Sequence, residues 1–291
     1  MPELPEVETV KIGLSKLIVG KIISDVSFDW PKGFPNAKSD IDKFLISAKV
    51  NSVSRRAKVL LIELDTNHTL LTHLKMTGQL VYRGKENFGA GHPNDSLIGE
   101  LPDKSTRVNI TFSDGTHLFF NDQRKFGWMR LIPTPEVQFI DFMKKLGPEP
   151  LNADFTQNDF RERILMRPNK NIKATLLDQS VIAGVGNIYA DESLWLAKIH
   201  PSTIVKNITT QKLNILYKEL REVLELAIEK GGSTDRNYVD AEGKKGSYIS
   251  FAKVFRRENE ACYRCGTTII KTRVANRGTH ICTKCQKVNI K

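Results

Sequence analysis

An α+β chain of several domains is what this sequence predicts: an N-terminal antiparallel β-sandwich led by a helix, then a helical domain, then a small C-terminal element held by metal. Three observations carry that expectation. Short β-rich runs recur from residue 21 to 132, the hydrophobic period turns helical after Gly147-Pro148-Glu149-Pro150, and all four cysteines fall in the last fifth of the 291 residues. The length suits about two globular domains at roughly 100–200 residues each. With 40% apolar and 26% charged residues, neither a disordered nor a fibrous chain fits.

The first helix starts near Pro5, where Val7, Val10, Leu14, Leu17 and Ile18 make one apolar face. Prolines and acids suit a first turn through fixed φ and the helix dipole. The β-rich segments follow as Lys21–Phe28, Lys49–Ser54, Val59–Leu64, Thr69–Leu74, Arg107–Phe112, Thr116–Phe120 and Trp128–Ile132, separated by turn residues such as Asp114-Gly115. Between them, residues 83–104 read as a long, polar, mobile loop. The densest apolar run, Val59-Leu60-Leu61-Ile62, is strand-sized, far short of the roughly 20 residues of a membrane helix. Glu3, Glu6 and Glu8 interrupt the start, so no secretory signal is expected and a cytoplasmic protein is. Beyond the Gly-Pro-Glu-Pro break, helices are expected over 172–179 and 187–197, joined by the glycine-containing turn 180–186, and over 213–227, ended by Gly231-Gly232. The expected division is therefore 1–132, a linker over 133–150, a helical domain over 151–231 and a terminal segment over 232–291.

In that terminal segment stand Cys262-x2-Cys265 and Cys282-x2-Cys285. Each pair can clamp one side of a tetrahedral metal, and the residues between are long enough for a hairpin turning at Asn276-Arg277-Gly278. One structural zinc ion is expected on the four thiolates; two disulfides would need an oxidising compartment. Four thiolates leave no open position for catalysis, so the function lies in what the hairpin tip presents, Arg277 with Lys271 and Arg273 nearby. Residues 231–291 carry 13 Lys and Arg against five Asp and Glu, a balance of +8 out of +11 for the chain. Charge of that kind serves either a nucleic-acid surface or solubility.

The start, Met1-Pro2-Glu3-Leu4-Pro5-Glu6-Val7-Glu8-Thr9-Val10, admits chemistry. Met before a small residue is normally trimmed, which would expose Pro2 as a secondary amine. An α-amine has a pKa of roughly 7.7–8.0 and is partly neutral at cellular pH. Attack on a sugar C1′ gives an iminium ion that acidifies the C2′ proton, with Glu3 beside it for acid–base work.

These opening residues resemble the start of the bacterial formamidopyrimidine-DNA glycosylases, also called 8-oxoguanine DNA glycosylases. The similarity continues through Ser54-Arg55-Arg56-Ala57-Lys58, His73-Leu74-Lys75-Met76-Thr77-Gly78, Asn121-Asp122-Gln123-Arg124-Lys125-Phe126-Gly127, Leu146-Gly147-Pro148-Glu149-Pro150-Leu151, Gly184-Val185-Gly186-Asn187-Ile188-Tyr189 and Asn276-Arg277-Gly278-Thr279-His280, in the family's order. The resemblance implies a bifunctional glycosylase and abasic-site lyase, built as a β-sandwich with a catalytic helix, a helix-two-turn-helix domain and a four-cysteine zinc finger. It implies damaged double-stranded DNA as partner, a monomer, and use at the bacterial nucleoid. Pro2 becomes the nucleophile that forms the Schiff base, Glu3 the acid–base group, Lys58 a proton donor in β-elimination, and Arg277 a phosphate grip assigned to δ-elimination. A flipped base leaves a gap to fill: Phe126 wedges it, Arg124 faces the orphan cytosine and Met76 takes the lesion's place. Asn187 contacts phosphate, and Lys170 and Lys173 add charge there.

Three departures from the family's pattern stand out. Several identities differ in the base-closing loop over 231–249, which includes Thr234, Arg236, Asn237 and Tyr238. Ser105 occupies a DNA-contact position where a histidine is common, with Arg107 supplying compensating charge, and Lys125 replaces a frequent arginine. An endonuclease-VIII-type enzyme for oxidised pyrimidines and a non-catalytic zinc-finger DNA binder are the alternatives.

Overall fold

The computed structural model describes residues 1–92, 94–233 and 248–288. The chain divides into two compact units, Met1–Lys144 with the chain from Lys230, and Lys145–Glu229 with the chain from Tyr248. Thr234, Arg236, Asn237 and Tyr238 lie outside the described residues.

In the first unit, helix α1 (Leu4–Leu17) carries Pro5 and Glu6 in its first turn, where a fixed φ and a negative charge both favour helix. Its buried face, Leu4, Val7, Val10 and Leu14 at 0–1% exposure, packs on the sheets. The approach is close: a β-carbon on Gly13 would stand 2.3 Å from the Phe88 ring, so glycine is required there. Strands β1 (Ile23–Phe28), β2 (Val50–Arg56), β3 (Val59–Leu64), β4 (His68–His73), β5 (Gly78–Arg83), β6 (Asn87–Gly91), β7 (Thr106–Phe112), β8 (His117–Asp122) and β9 (Trp128–Pro133) follow. They make two antiparallel sheets, ordered β1-β7-β8-β5-β6 and β2-β3-β4-β9. One core joins them, with Leu60, Ile62, Leu70 and Met129 from one sheet and Leu80, Val108, Ile110 and Phe120 from the other. Full burial of each such side chain contributes about 1.5–3 kcal/mol.

That is the sandwich the alternation predicts, with two additions. β5 and β6 form a hairpin, Arg83 opposite Asn87, over residues that read as turn and loop. Phe88 and Ala90 point into the core at 1% exposure, but the glycines beside them hide the alternation from composition. Short helices α2 (Lys38–Asp40) and α3 (Asp141–Lys144) also belong to this unit. The expected linker over 133–150 thus holds a 3₁₀ turn at Thr134–Phe139 and α3.

The second unit is helical, with α4 (Gln157–Leu165), α5 (Ile172–Leu177), α6 (Asn187–Leu196) and α7 (Thr210–Glu229). Thr156 and Asp159 cap α4 reciprocally. Leu213, Leu216, Leu220, Val223, Leu224 and Ala227 are the buried face of α7, as their spacing predicts. The helix stops ahead of Gly231 and Gly232, whose φ values are 73° and 85°. A glycine is also needed at 147, where a β-carbon would lie 2.7 Å from the carbonyls of Ser180 and Val181. The Gly147–Pro150 segment is therefore packed against the α5–α6 turn and is not a free tether.

Strands β10 (Ile270–Val274) and β11 (Arg277–Ile281) form the C-terminal hairpin. Its turn is Ala275-Asn276, both left-handed at φ 51° and 58°, so Arg277 begins the second strand and the turn sits one residue earlier than expected. Trp195, Val254, Cys262, Ile269 and Cys282 pack together beneath the hairpin. No helix among the described residues is long and apolar enough to cross a membrane.

Candidate active site and nucleic-acid interface

Chain termini normally fray; this one is tied down. Pro2 is buried, and Glu3 and Glu6 are 3% and 5% exposed. Glu3 is the N-cap of α1, and its N–H donates to Glu6 Oε2 at 2.7 Å. Glu6 Oε1 accepts the Ser233 N–H at 2.8 Å. The start of α1 is thereby fastened to Ser233, within the segment 231–249 that the resemblance assigns to closing over the base. Nothing in the sequence distinguishes Glu6 from an ordinary first-turn acid that caps a helix.

Lys58 occupies the β2–β3 turn, opened by Ala57 at φ 53°, and is buried at 6% exposure. Its surroundings are set from α1: Arg55 Nε donates to Glu8 Oε2 at 2.8 Å, and Arg55 also donates to the Ala57 carbonyl at 2.9 Å. Glu8's carboxyl lies below the usual range, because Arg55 and Lys11 outweigh the opposing effect of burial. Nearby, His73 is pushed down to about 3 by burial first and then by the charges of Lys75 and Lys58. A neutral imidazole fits its hydrogen bond, since His73 Nδ1 accepts the Lys75 N–H at 3.0 Å.

Lys75 leads into a turn that carries Met76, half-buried, and Thr77. Asp122, 1% exposed, joins this turn to the next functional loop. One of its oxygens accepts the Thr77 hydroxyl and, at 3.1 Å, the Arg124 N–H; the other accepts Phe126 N–H at 2.8 Å and Gly127 N–H at 2.6 Å. Above that carboxylate, Arg124, Lys125 and Phe126 are all exposed, Phe126 at 52%. The Arg124 guanidinium stacks on the Phe126 ring 4.7 Å from its centre, and Lys125 lies over Trp30 at 4.6 Å. An exposed aromatic on a backbone fixed at three points is what a wedge into stacked bases needs.

Ser105 and Arg107 are placed differently from the surface positions expected of them. Ser105 is 2% exposed, and its hydroxyl donates to Asp103 at 2.7 Å. Arg107, 6% exposed, gives its guanidinium to the carbonyls of Asp122 and Lys104 and to the Asp29 carboxylate. The strand register shifts between Thr106 and Val108, and such a bulge re-aims a side chain. Arg107 braces the Asp122 loop from inside.

In the second unit, Lys170 and Arg277 are exposed and Asn187 half-buried. The α5–α6 turn is organised by Gln179: its amide donates to the Leu177 and Val185 carbonyls at 3.1 and 2.9 Å, and its oxygen accepts Gly184 N–H at 2.9 Å. Asn187 opens α6 and its amide donates to the Gly278 carbonyl at 3.0 Å, which brings the helix entry and the hairpin tip together. Lys173, read from the sequence as phosphate charge, is 0% exposed and faces Asp191. Glu192 is buried too, its oxygens accepting N–H groups of Lys253, Val254 and Phe255 at 2.7–2.9 Å; burial raises its carboxyl pKa. Neither acid is legible in the sequence, because both sit inside a helix rather than at its charged end.

The four cysteine sulfurs lie within 4.8 Å of one another, with Sγ–Sγ separations of 4.0, 3.4 and 3.5 Å for Cys262–Cys285, Cys265–Cys282 and Cys265–Cys285. A tetrahedron of Zn–S bonds near 2.3 Å spaces sulfurs by about 3.8 Å, so the cluster fits one structural zinc ion.

Three family models match. They are the formamidopyrimidine-DNA glycosylase N-terminal domain over residues 1–129, the formamidopyrimidine-DNA glycosylase H2TH domain over 146–238, and the zinc finger found in FPG and IleRS over 259–288. The formamidopyrimidine-DNA glycosylase of Herpetosiphon aurantiacus is 42% identical, covering 98% of this chain and 100% of its own, and that of Halalkalibacterium halodurans is 40% identical over 99% and 100%. Among solved structures, a Lactococcus lactis FPG mutant in complex with Fapy-dG-containing DNA matches with TM-score 0.86 at 36% identity, over 98% of this chain and 100% of that one. MutM in complex with carbocyclic 8-oxo-G-containing DNA matches with TM-score 0.85 at 36% identity and the same coverage.

Proposed function

The chain belongs to the formamidopyrimidine-DNA glycosylase family, and from that premise we propose that it excises oxidised purines from duplex DNA and then cleaves the strand through a Schiff base at Pro2. The observation that carries this reading is the buried, fastened N-terminus, with Pro2 and Glu3 held at the start of α1 by Glu6.

Removal of Met1 leaves the Pro2 nitrogen as a secondary amine with a free lone pair. That nitrogen bonds to C1′ as the C1′–base bond breaks, and the departing base takes a proton. Opening of the sugar ring gives an iminium ion, with the former ring oxygen protonated; Glu3 is the group placed to move these protons. Loss of the C2′ proton sends an electron pair to expel the 3′ phosphate, with Lys58, buried near the neutral His73, assisting. A second elimination expels the 5′ phosphate, which Arg277 grips.

Met76, Arg124 and Phe126 fill the space the flipped base leaves, Lys125 holds backbone charge beside them, and Lys170 and Asn187 contact phosphate. Ser105 serves this interface from beneath, by shaping the Asp103 turn. Zinc stiffens the finger on Cys262, Cys265, Cys282 and Cys285 and takes no part in the eliminations. The protein acts as a monomer in the bacterial cytoplasm.

Borohydride reduction in the presence of abasic-site DNA tests the reading. Peptide mapping is expected to place the adduct on Pro2, and Pro2→Gly or a retained Met1 to abolish it. Full-rate strand cleavage by protein that keeps Met1 would defeat the proposal. A panel of duplexes with oxidised purines or pyrimidines then decides the lesion class.

A further inference from the structure

Lys173 and Asp191 form an ion pair at 0% exposure, Nζ to Oδ1 2.6 Å, that no step above uses. Nζ also donates to Thr279 Oγ1 at 2.7 Å and to the Gly278 carbonyl at 3.2 Å. Thr279 Oγ1 in turn donates to the Arg277 carbonyl at 2.9 Å, and the second oxygen of Asp191 accepts His280 N–H at 3.0 Å. The backbone from Arg277 to His280 is thereby bonded to α5 and α6.

A buried ion pair is a poor device for stability alone. Desolvating two charges cancels most of their attraction, and an apolar pair of the same volume commonly does as well. Apolar packing cannot supply direction. An ammonium has three hydrogens, and here three acceptors fix them. The tip being held is strained as well: Ala275 and Asn276 are both left-handed, which a β-carbon disfavours. Such strain persists only where the surroundings over-determine the backbone, and the clamp begins one residue beyond Arg277.

We propose that Lys173 and Asp191 are positioning residues for strand cleavage: the buried pair holds the hairpin tip so that the Arg277 guanidinium meets its phosphate, and neither residue touches DNA. This rests on the reading of Arg277 as the phosphate grip. It also moves Lys173 out of the set of phosphate contacts.

The test compares the full-length zinc-loaded protein with Lys173→Met, Arg277→Ala and the double variant. Binding is measured on a duplex carrying a tetrahydrofuran abasic analogue, and β- and δ-products on a natural abasic site. Lys173→Met is expected to weaken binding by about 10-fold and δ-elimination by up to about 100-fold, the scale on which small misplacements act, with a much smaller loss of adduct trapping. In the Arg277→Ala background the same change should add less than about twofold, because its effect passes through Arg277. Losses that multiply in the double variant would overturn the proposal while leaving the phosphate grip intact. An Arg277→Ala protein with wild-type binding and δ-elimination would overturn the grip itself and the proposal with it. Should Lys173→Met lose zinc or fail to fold, Thr279→Val keeps the ion pair and removes the two hydrogen bonds of the Thr279 hydroxyl, from Lys173 and to the Arg277 carbonyl. It should weaken δ-elimination by roughly threefold, without further loss in Arg277→Ala, and unchanged products would refute the role.

Discussion

The Arg124–Phe126 loop of the first unit and the Arg277 hairpin of the second both present cations to solvent from backbone held from beneath, and the holding charge is opposite in sign. Under the loop lies Asp122, which collects the N–H groups of Arg124, Phe126 and Gly127 and the Thr77 hydroxyl. Under the hairpin lies Lys173, which donates to a carbonyl and a hydroxyl of the tip and to Asp191. The backbone decides which charge fits. A turn whose N–H groups converge needs a group that only accepts, and a strand end that offers oxygens needs one that only donates. Both tips keep non-glycine residues left-handed, Lys125 at φ 56° and Ala275 at φ 51°. In the loop, side chains also order one another, since Arg124 rests on Phe126; Arg277 depends on its backbone.

The largest break in this comparison comes from zinc. A structural zinc site contributes about 10–16 kcal/mol of apparent folding free energy in finger peptides. Chelation, or Cys265→Ser, should therefore melt the hairpin and leave the Asp122 loop in place. Hydrogen exchange is expected to rise by more than about 100-fold across the finger, with exchange at Phe126 and Gly127 unchanged. Loss of protection in both tips would mean that they are not independently supported. Next in size is Asp122→Ala. It removes an acceptor from four donors, three of them backbone, of which the Arg124 N–H keeps Thr77 Oγ1 at 3.2 Å; at about 1–3 kcal/mol for each buried orphan, less where water reaches, a loss near 3 kcal/mol is expected. Denaturant unfolding measures it, and a loss below about 1 kcal/mol would show that the loop needs no carboxylate.

How each tip reads in sequence follows from the range of its contacts. The first unit's sandwich was legible because alternation is local, except in the β5–β6 hairpin: Gly78–Arg83 is buried at all but its last position and so shows no alternation, and at Asn87–Gly91 glycines flank the two residues that enter the core. The metal site was legible because its ligands come in two short pairs. Lys173 was not: a lysine ahead of a glycine-rich helix entry looks solvated, and its burial depends on Asp191, on the next helix, and on a hairpin more than a hundred residues onward. Ser105 and Arg107 turn inward at a bulge that no residue type announces. The sequence points to a turn at Asn276-Arg277-Gly278 because glycine is the usual left-handed residue, whereas the register puts Ala275 and Asn276 in the turn.

Acid should separate the tips by a smaller margin. His73 must be neutral to accept the Lys75 N–H beside the Met76 turn, and its pKa in the folded protein is about 3 against an ordinary 6.5. Between those values the unfolded chain binds the proton and the folded protein does not. Stability is therefore fully present above about pH 6.5 and falls as pH drops, by at most about 1.4 kcal/mol per pH unit from this group. In His73→Gln the fall between pH 6 and 4 should be shallower than in the wild type by about 1 kcal/mol per unit, since the acidic residues are common to both proteins. Equal slopes would remove His73 from the support of the first tip.

The smallest expected effect discriminates most finely. Ala275→Gly relieves a left-handed β-carbon, worth about 1–2 kcal/mol, and adds freedom to the unfolded chain that offsets about 0.4–1 kcal/mol of it. The melting temperature should therefore rise slightly or stay where it is. Affinity for abasic-analogue DNA answers the sharper question. If the tip owed its order to its own turn, glycine would loosen it and binding would fall with the change in stability in the opposite direction. Because Lys173 and Thr279 hold the strand just beyond Arg277, binding should change by less than about threefold, under 1 kcal/mol. A tenfold loss would place the order in the turn rather than in the buried pair below it.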